Sequence, residues 1–263
     1  MEVINYLLGY KNLKIYQNTE MFNFSLDSVL LPNFITINKN ITNILDIGTG
    51  NAPIPLILSA KTTANIIGVE IQKDVANLAE KSVKINKKEN QIKIINGDIK
   101  EIYQNLGINS FDIITCNPPF FKVKEASKLN KNDYKTIARH EISLNLDDIC
   151  KISKQLLKTN GVLGIVHRPE RLTDILITMR KYNIEPKKIR LVYPSNQKEA
   201  NILLVEGRLN GKPGLKFESP LISHKPNGEY TEEIKKYFEW RWENASKKLW
   251  WNPNNICNPN PNR

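Results

Sequence analysis

Asn117-Pro118-Pro119-Phe120 is the stretch of this chain best equipped to do chemistry. Two successive prolines fix two backbone dihedrals and remove two N–H donors, so the carbonyls of 117 and 118 are left as acceptors. The Asn117 side chain adds an amide oxygen, and Phe120 offers a flat apolar face. Such a set can hold an exocyclic –NH2 by two hydrogen bonds while the ring stacks on the planar group that carries it. Held in this way, the nitrogen lone pair is aimed at an electrophile, and catalysis is positioning rather than acid–base work.

A second cluster is Asp46-Ile47-Gly48-Thr49-Gly50-Asn51-Ala52. Glycines at 48 and 50 let the backbone turn sharply and approach a ligand, at the start of a helix whose N-terminus attracts anionic groups. Position 53 is Pro, so the pattern departs from the dinucleotide fingerprint G-x-G-x-x-G. Glu70 follows Gly50 by 20 residues, where an acid can accept hydrogen bonds from two ribose hydroxyls. Asp98, after Asn96-Gly97, can receive a donor such as an adenine amine. Read singly, each acid is equally a helix N-cap, and Asp98 before Ile99 has that form. Read together, they mark three successive strand ends.

The elements that position these residues follow from hydrophobic periodicity. Short apolar runs read as strands at 43–47, 65–69, 92–95, 111–116, 161–167, 188–193 and 202–206. Helical spacing occupies 55–60, 73–86, 142–157 and 169–182. Within 73–86, Val75, Leu78, Ala79 and Val83 share one face; within 142–157, Leu146, Ile149, Ile152, Leu156 and Leu157 point inward. Alternation of this kind predicts an α/β fold, with a mostly parallel sheet covered by helices on both faces. Ligands in such sheets sit beyond the carboxyl ends of the strands, where Asp46, Gly48, Glu70, Asp98 and Asn117 all fall. The chain divides into an N-terminal extension (1–40), a catalytic domain (41–207), a C-terminal extension (208–251) and an Asn/Pro tail (252–263) expected to be mobile. A further helix is expected at 232–242, through Ile234, Tyr237, Phe238, Trp240 and Trp242.

Composition narrows the class. The 263 residues carry a formal charge of +11, which favours a polyanionic partner. The 33 Asn and 30 Lys against 8 Arg have a second explanation, codon bias in an AT-rich genome. Cysteines at 116, 150 and 257 fit neither a disulfide framework nor a zinc cluster, so no metal is expected. The first 17 residues lack a secretory pattern, and no apolar run approaches the ~18 residues of a membrane span. A cytoplasmic protein without a membrane partner is expected.

On these motifs the chain resembles class I S-adenosylmethionine-dependent methyltransferases of the amino-group branch that carries N-P-P-F/Y. Within that branch it is similar to the tRNA1(Val) (adenine-37-N6)-methyltransferase family. The resemblance runs from about Gln17 to Glu233 and includes Phe24-Ser25-Leu26-Asp27-Ser28-Val29-Leu30-Leu31, Ala138-Arg139-His140-Glu141, Arg168-Pro169, Leu204 to Glu206 and Gly214-Leu215. It departs at Ala52, where the family usually has Gly. The resemblance implies a Rossmann-like, mostly parallel seven-stranded sheet with N- and C-terminal extensions. It implies S-adenosylmethionine bound by Phe24, Asp27, Asp46, Gly48, Gly50, Asn51, Glu70, Ile71, Asp98, Ile99 and Asn117. Asn117, Pro118, Pro119 and Phe120 would then hold the target adenine, which must be unpaired or flipped out.

Lys122, Lys124, Lys128, Lys131, Lys135 and Arg139 outnumber Glu125 and Asp133 in the segment after this motif, and net +4 there could meet tRNA phosphates or simply face solvent. Tryptophans at 240, 242, 250 and 251 could stack bases or cover the sheet. The expected protein is a tRNA adenine N6-methyltransferase, monomeric or a weak homodimer. Its rivals are a methyltransferase for ribosomal-RNA guanine N2 or protein glutamine, a non-catalytic RNA-binding module, and a nicotinamide dehydrogenase. Pro53 and the N-P-P-F motif speak against the dehydrogenase.

Overall fold

A computed structural model of the protein describes residues 1–7, 10, 13–20, 25–118 and 144–237. The chain opens with an antiparallel hairpin, β1 (Glu2–Tyr6) and β2 (Lys14–Asn18), followed by α1 (Leu26–Phe34). Alternating strands and helices come next: β3 (Asn43–Ile47), α2 (Pro53–Ser59), β4 (Asn65–Glu70), α3 (Lys73–Ile85), β5 (Ile92–Asn96) and the short α4 (Ile99–Ile102). The second half holds β6 (Phe111–Cys116), α5 (Leu146–Leu156), β7 (Leu157–His167), α6 (Leu172–Lys181), β8 (Ile184–Tyr193) and β9 (Ile202–Leu209). Two-residue strands β10 (Lys216–Phe217) and β11 (Leu221–Ile222) and helix α7 (Glu232–Tyr237) complete it.

The seven long strands are ordered β8-β9-β7-β6-β3-β4-β5, and β10 and β11 both add to the outer side of β8, making nine strands. Only β9 runs against its neighbours β7 and β8; the other pairings are parallel. The chain leaves β3 outward through β4 and β5, then returns to β6 on the other side. Strand order therefore reverses between β3 and β6, the place where such sheets bind ligands.

The strands form where apolar runs can be buried on both faces. Ile44, Ile113, Val162 and Val166 meet α1, α2 and the hairpin in one core. Leu45, Ile114, Leu163 and Ile165 meet α5 and α6 in the other. The C-terminal end of α1 packs so closely on β7 that a Cβ on Gly164 would lie 2.5 Å from Cγ2 of the C-cap residue Ile35.

Several boundaries differ from the sequence expectation. Of the helix expected at 142–157, residues 142 and 143 lie outside the described residues, and the observed helix begins at Leu146, after a reciprocal capping box of Asn145 and Asp148. Leu157 does not belong to that helix; it starts β7, which reaches four residues earlier than expected and pairs with Phe111. Residues 169–171 form a 3-10 turn before α6. Helix α2 starts at Pro53 rather than Pro55, with proline in its first turn, where no N–H is needed. Val75 on α3 is only half-buried, and Ser82 takes part in the buried face instead.

The hairpin is held by polar side chains. Ser82 Oγ accepts the Tyr16 N–H at 2.9 Å, and Asn86 both accepts from and donates to the Lys14 backbone, at 2.9 and 2.6 Å. These bonds replace a third strand along the edge of β2. Among the described residues, no helix is long and apolar enough to cross a membrane.

Replacing Gly164 with Ala should push α1 off the sheet. Ile35 is β-branched and has few rotamers with which to yield, so overpacking should cost about 1–3 kcal/mol in chemical denaturation. Unchanged stability would mean that α1 adjusts freely.

Candidate active site

The turn after β3 carries three residues in the left-handed region: Gly48 (φ 69°), Gly50 (φ 58°) and Ala52 (φ 71°). Nothing lies within 4 Å of where a Cβ would stand on Gly48 or Gly50, so the backbone there borders open space. Ala52 adopts this conformation with a side chain present, at a cost of about 1–2 kcal/mol, and is fully buried at the N-cap of α2.

Buried carboxylates set the shape of the turn. Asp46 Oδ2 accepts from Thr49 Oγ1 at 2.7 Å, and Oδ1 from Thr115 Oγ1 of β6 at 2.6 Å. Complete burial pushes the Asp46 carboxyl up to about 7, against the pull of both hydroxyls, with the Glu70 charge adding to the rise. Glu70, 6% exposed, accepts the Gly50 N–H through Oε2 and the Gln72 N–H through Oε1, both at 2.9 Å. Gly48 and Thr49 donate their N–H groups to the Val69 carbonyl. Asn51 reaches away from this turn, donating Nδ2 to the Tyr16 carbonyl of β2 at 2.8 Å.

Beyond β4, Ile71 is an exposed aliphatic side chain beside Glu70. Asp98 is the N-cap of α4: its Oδ1 accepts the Lys100 N–H at 2.9 Å. Ile99 is buried beneath it. The cap form that the sequence suggested is present, and it leaves Asp98 Oδ2 facing Lys100 Nζ at 3.9 Å.

Asn117 follows β6 directly. Its Nδ2 donates to Ser28 Oγ of α1 at 3.1 Å, while its Oδ1 is buried and has no hydrogen-bond partner among the described residues. The first turn of α1 thus crosses the end of β6. Next to Ser28, Asp27 is buried and accepts from Ser25 Oγ at 3.1 Å; burial raises its carboxyl, opposed by the Arg168 charge at the end of β7. Arg168 Nη1 donates to the Asn201 carbonyl at 2.9 Å. Its neighbour His167 is pushed down to about 4 by burial.

Asp27, Asp46, Gly48, Gly50, Asn51, Glu70, Ile71, Asp98, Ile99, Asn117 and Pro118 therefore lie within the described residues, Asp27 on α1, Ile99 on α4 and the others at or just after the carboxyl ends of β3, β4, β5 and β6. Phe24, Pro119, Phe120, Lys122, Lys124, Lys128, Lys131, Lys135, Arg139 and His140 lie outside the described residues, as do Phe238, the four tryptophans and the tail. The roles of Ser28, Thr49 and Thr115 are not visible in sequence spacing, since Ser28 and Thr115 act across 89 and 69 residues. Among the described residues, no group of three or more His, Cys, Asp or Glu side chains is arranged to hold a metal.

A family model described as methyltransferase small domain matches residues 25–178. The chain belongs to this methyltransferase family. A tRNA1(Val) (adenine(37)-N6)-methyltransferase of Porphyromonas gingivalis is 31% identical over 198 residues, spanning 72% of this chain and 75% of the relative. One of the same name from Parabacteroides distasonis is 25% identical over 235 residues, spanning 87% of this chain and 96% of the relative. Among solved structures, a predicted O-methyltransferase from Agrobacterium tumefaciens superposes with a TM-score of 0.64 at 18% identity, covering 81% of this chain and 95% of that one. That likeness shows a shared fold.

In this methyltransferase the raised Asp46 carboxyl links stability to pH. Between the unfolded value of 3.8 and about 7, the folded state keeps a proton that the unfolded chain has released. Its contribution is complete below 3.8 and is lost as pH rises through about 7. The stability of Asp46→Asn relative to wild type should therefore rise across that window, by up to about 1.4 kcal/mol per pH unit. Parallel denaturation curves for the two proteins would place the titration elsewhere.

Proposed function

We propose that this methyltransferase methylates N6 of an unpaired adenosine in tRNA, adenosine-37 of tRNA1(Val), with S-adenosylmethionine as donor. The observation that carries this reading is the buried Oδ1 of Asn117, which has no hydrogen-bond partner among the described residues. A buried acceptor without a donor costs free energy, so its persistence at a site edge fits a donor that arrives with the substrate. An exocyclic amine supplies one.

The chain's own residues suit the cofactor. The open backbone at Gly48 and Gly50 leaves room for it, and Ile71 offers an apolar surface for a flat base. Each Glu70 oxygen already takes one backbone N–H and has a lone pair left for a ribose hydroxyl. Asp98 stands at the next strand end for the base amine, with Ile99 beneath it. Asp46 does not need to touch the ligand; it holds the turn that does. Asp27 and Asn51, and Phe24 in the segment before α1, complete the proposed cofactor set. When bound, S-adenosylmethionine supplies an electrophilic methyl group.

Asn117 Oδ1 and the Pro118 carbonyl would accept hydrogen bonds from the two amine N–H groups. This turns the nitrogen lone pair out of the ring's conjugation and toward the methyl group. Phe120 would stack on the adenine, and Pro119 contributes by lacking an N–H that would compete. An anticodon-loop base is already unpaired, which lowers the cost of presenting it. Residues 41–207 would form the catalytic domain, with the N- and C-terminal extensions packed around it. The protein would act in the cytoplasm as a monomer or weak homodimer.

Two substitutions separate the roles. Asn117→Ala should abolish methyl transfer while cofactor affinity stays within about tenfold, since a neutral hydrogen bond contributes only ~1 kcal/mol. Glu70→Ala should weaken cofactor binding by roughly 1.5–3 kcal/mol in calorimetry. Turnover retained by the Asn117 variant would sink the proposed mechanism.

The basic residues Lys122, Lys124, Lys128, Lys131, Lys135 and Arg139 are proposed to meet tRNA phosphates. Changing three of the lysines to Gln should raise the tRNA KM with little effect on kcat. It should also reduce the slope of log affinity against log salt by roughly 0.7–0.9 for each phosphate no longer neutralised. An intact slope would return this segment to solvent.

A further inference from the structure

The Asn117 side chain is tied to a residue 89 positions earlier, Ser28 in the first turn of α1. Ser28 is 5% exposed, so its hydroxyl meets Asn117 with little competition from water. An Asn side chain turns easily about its last torsion, and a half-turn exchanges its oxygen and nitrogen. Only one of the two orientations offers an acceptor to an incoming amine; the other sets one N–H donor against another. A serine hydroxyl can accept from Nδ2 or donate to Oδ1; here it accepts from Nδ2 at 3.1 Å, and Oδ1 is the atom left without a partner among the described residues.

The partner is itself fixed. At the far end of α1, Lys188 Nζ donates to the Phe34 carbonyl and to Thr36 Oγ1, and lies 4.3 Å from the Phe34 ring centre. Glu206 of β9 accepts the Thr36 N–H at 2.7 Å and pairs with Lys188 at 3.1 Å. Leu31 within the helix and Ile35 at its C-cap close over Gly164. Ser28 is therefore presented by a helix anchored from its middle to its C-terminal end.

We propose that Ser28 is a positioning residue: its hydroxyl holds the Asn117 amide in the orientation that turns Oδ1 toward the substrate amine. This rests on the role proposed for Asn117 above. It makes α1, which lies before the sheet in sequence, a working part of the site rather than a cover over it. Loss of the hydroxyl should leave the cofactor and tRNA contacts in place. It should reduce the fraction of bound complexes with the amide correctly turned, which affects kcat.

The test compares wild type, Asn117→Ala, Ser28→Ala and Ser28→Thr in steady-state methylation of unmodified tRNA, with cofactor affinity by calorimetry and Tm. Ser28→Ala should lose about five- to tenfold in kcat, with the tRNA KM and the cofactor Kd within about twofold. Ser28→Thr, which keeps a hydroxyl, should restore most of the rate, and the Tm values should not follow the rates. Wild-type kcat in Ser28→Ala would overturn the proposal. So would a loss that Ser28→Thr shares, or one that follows a fall in Tm. If wild type methylates no adenosine, or Asn117→Ala still turns over, the role of Asn117 fails first, and that of Ser28 fails with it.

Discussion

The carboxylate of Asp46 ties together the three pieces on which the site depends. One oxygen is bound by Thr115 on β6 and the other by Thr49 in the glycine turn, while Asp46 itself is the last residue but one of β3. Those strands flank the reversal of strand order, so a single buried group sets both the spacing of the crevice and the curl of its floor. Burying an acid so completely is costly, and its raised carboxyl reflects that cost. The two hydroxyls offset part of it, and in exchange the turn has a fixed shape before any ligand arrives. Glu70 adds a second brace from β4 by holding the Gly50 N–H.

The other half of the site comes from outside the sheet. Helix α1 crosses the carboxyl end of β6 and touches Asn117 through Ser28 and, beside it, places Asp27 toward Arg168 of the next strand. The Lys188–Glu206 pair secures the opposite end of this helix. Glu206 is almost wholly buried, Lys188 is partly buried, and both are well supplied with hydrogen bonds, the condition under which an ion pair can hold geometry without a large penalty. The hairpin adds a third anchor, since Asn51 in the glycine turn donates to its Tyr16 carbonyl. The glycine turn, Asn117 and the N-terminal segment are thus mechanically one unit.

What could be read from the sequence follows the same physics. The central strands are legible because they are buried on both faces and so appear as apolar runs, as in Asn-Ile-Leu-Asp-Ile at 43–47. Strand ends are legible because polar residues interrupt those runs at Asp46, Glu70, Asp98 and Asn117. The hairpin is not legible, because β1 is exposed along most of its length and β2 is held by Ser82 and Asn86, polar residues with no pattern of their own. The start of α5 depends on the Asn145 cap rather than on Ile142, and β7 takes Leu157 from the expected helix because Phe111 offers it a partner. Ser28 belongs to the recognisable segment before the core, yet its contact with Asn117 exists only once the chain has folded.

The most direct test is to incubate the protein with S-adenosylmethionine labelled in its methyl group and with total tRNA lacking the modification, then digest the RNA and separate the nucleosides. Label in N6-methyladenosine, mapped to adenosine-37 of tRNA1(Val), is the predicted result. Label in N2-methylguanosine, transfer only to protein glutamine, or cofactor binding without any transfer to tRNA would contradict it.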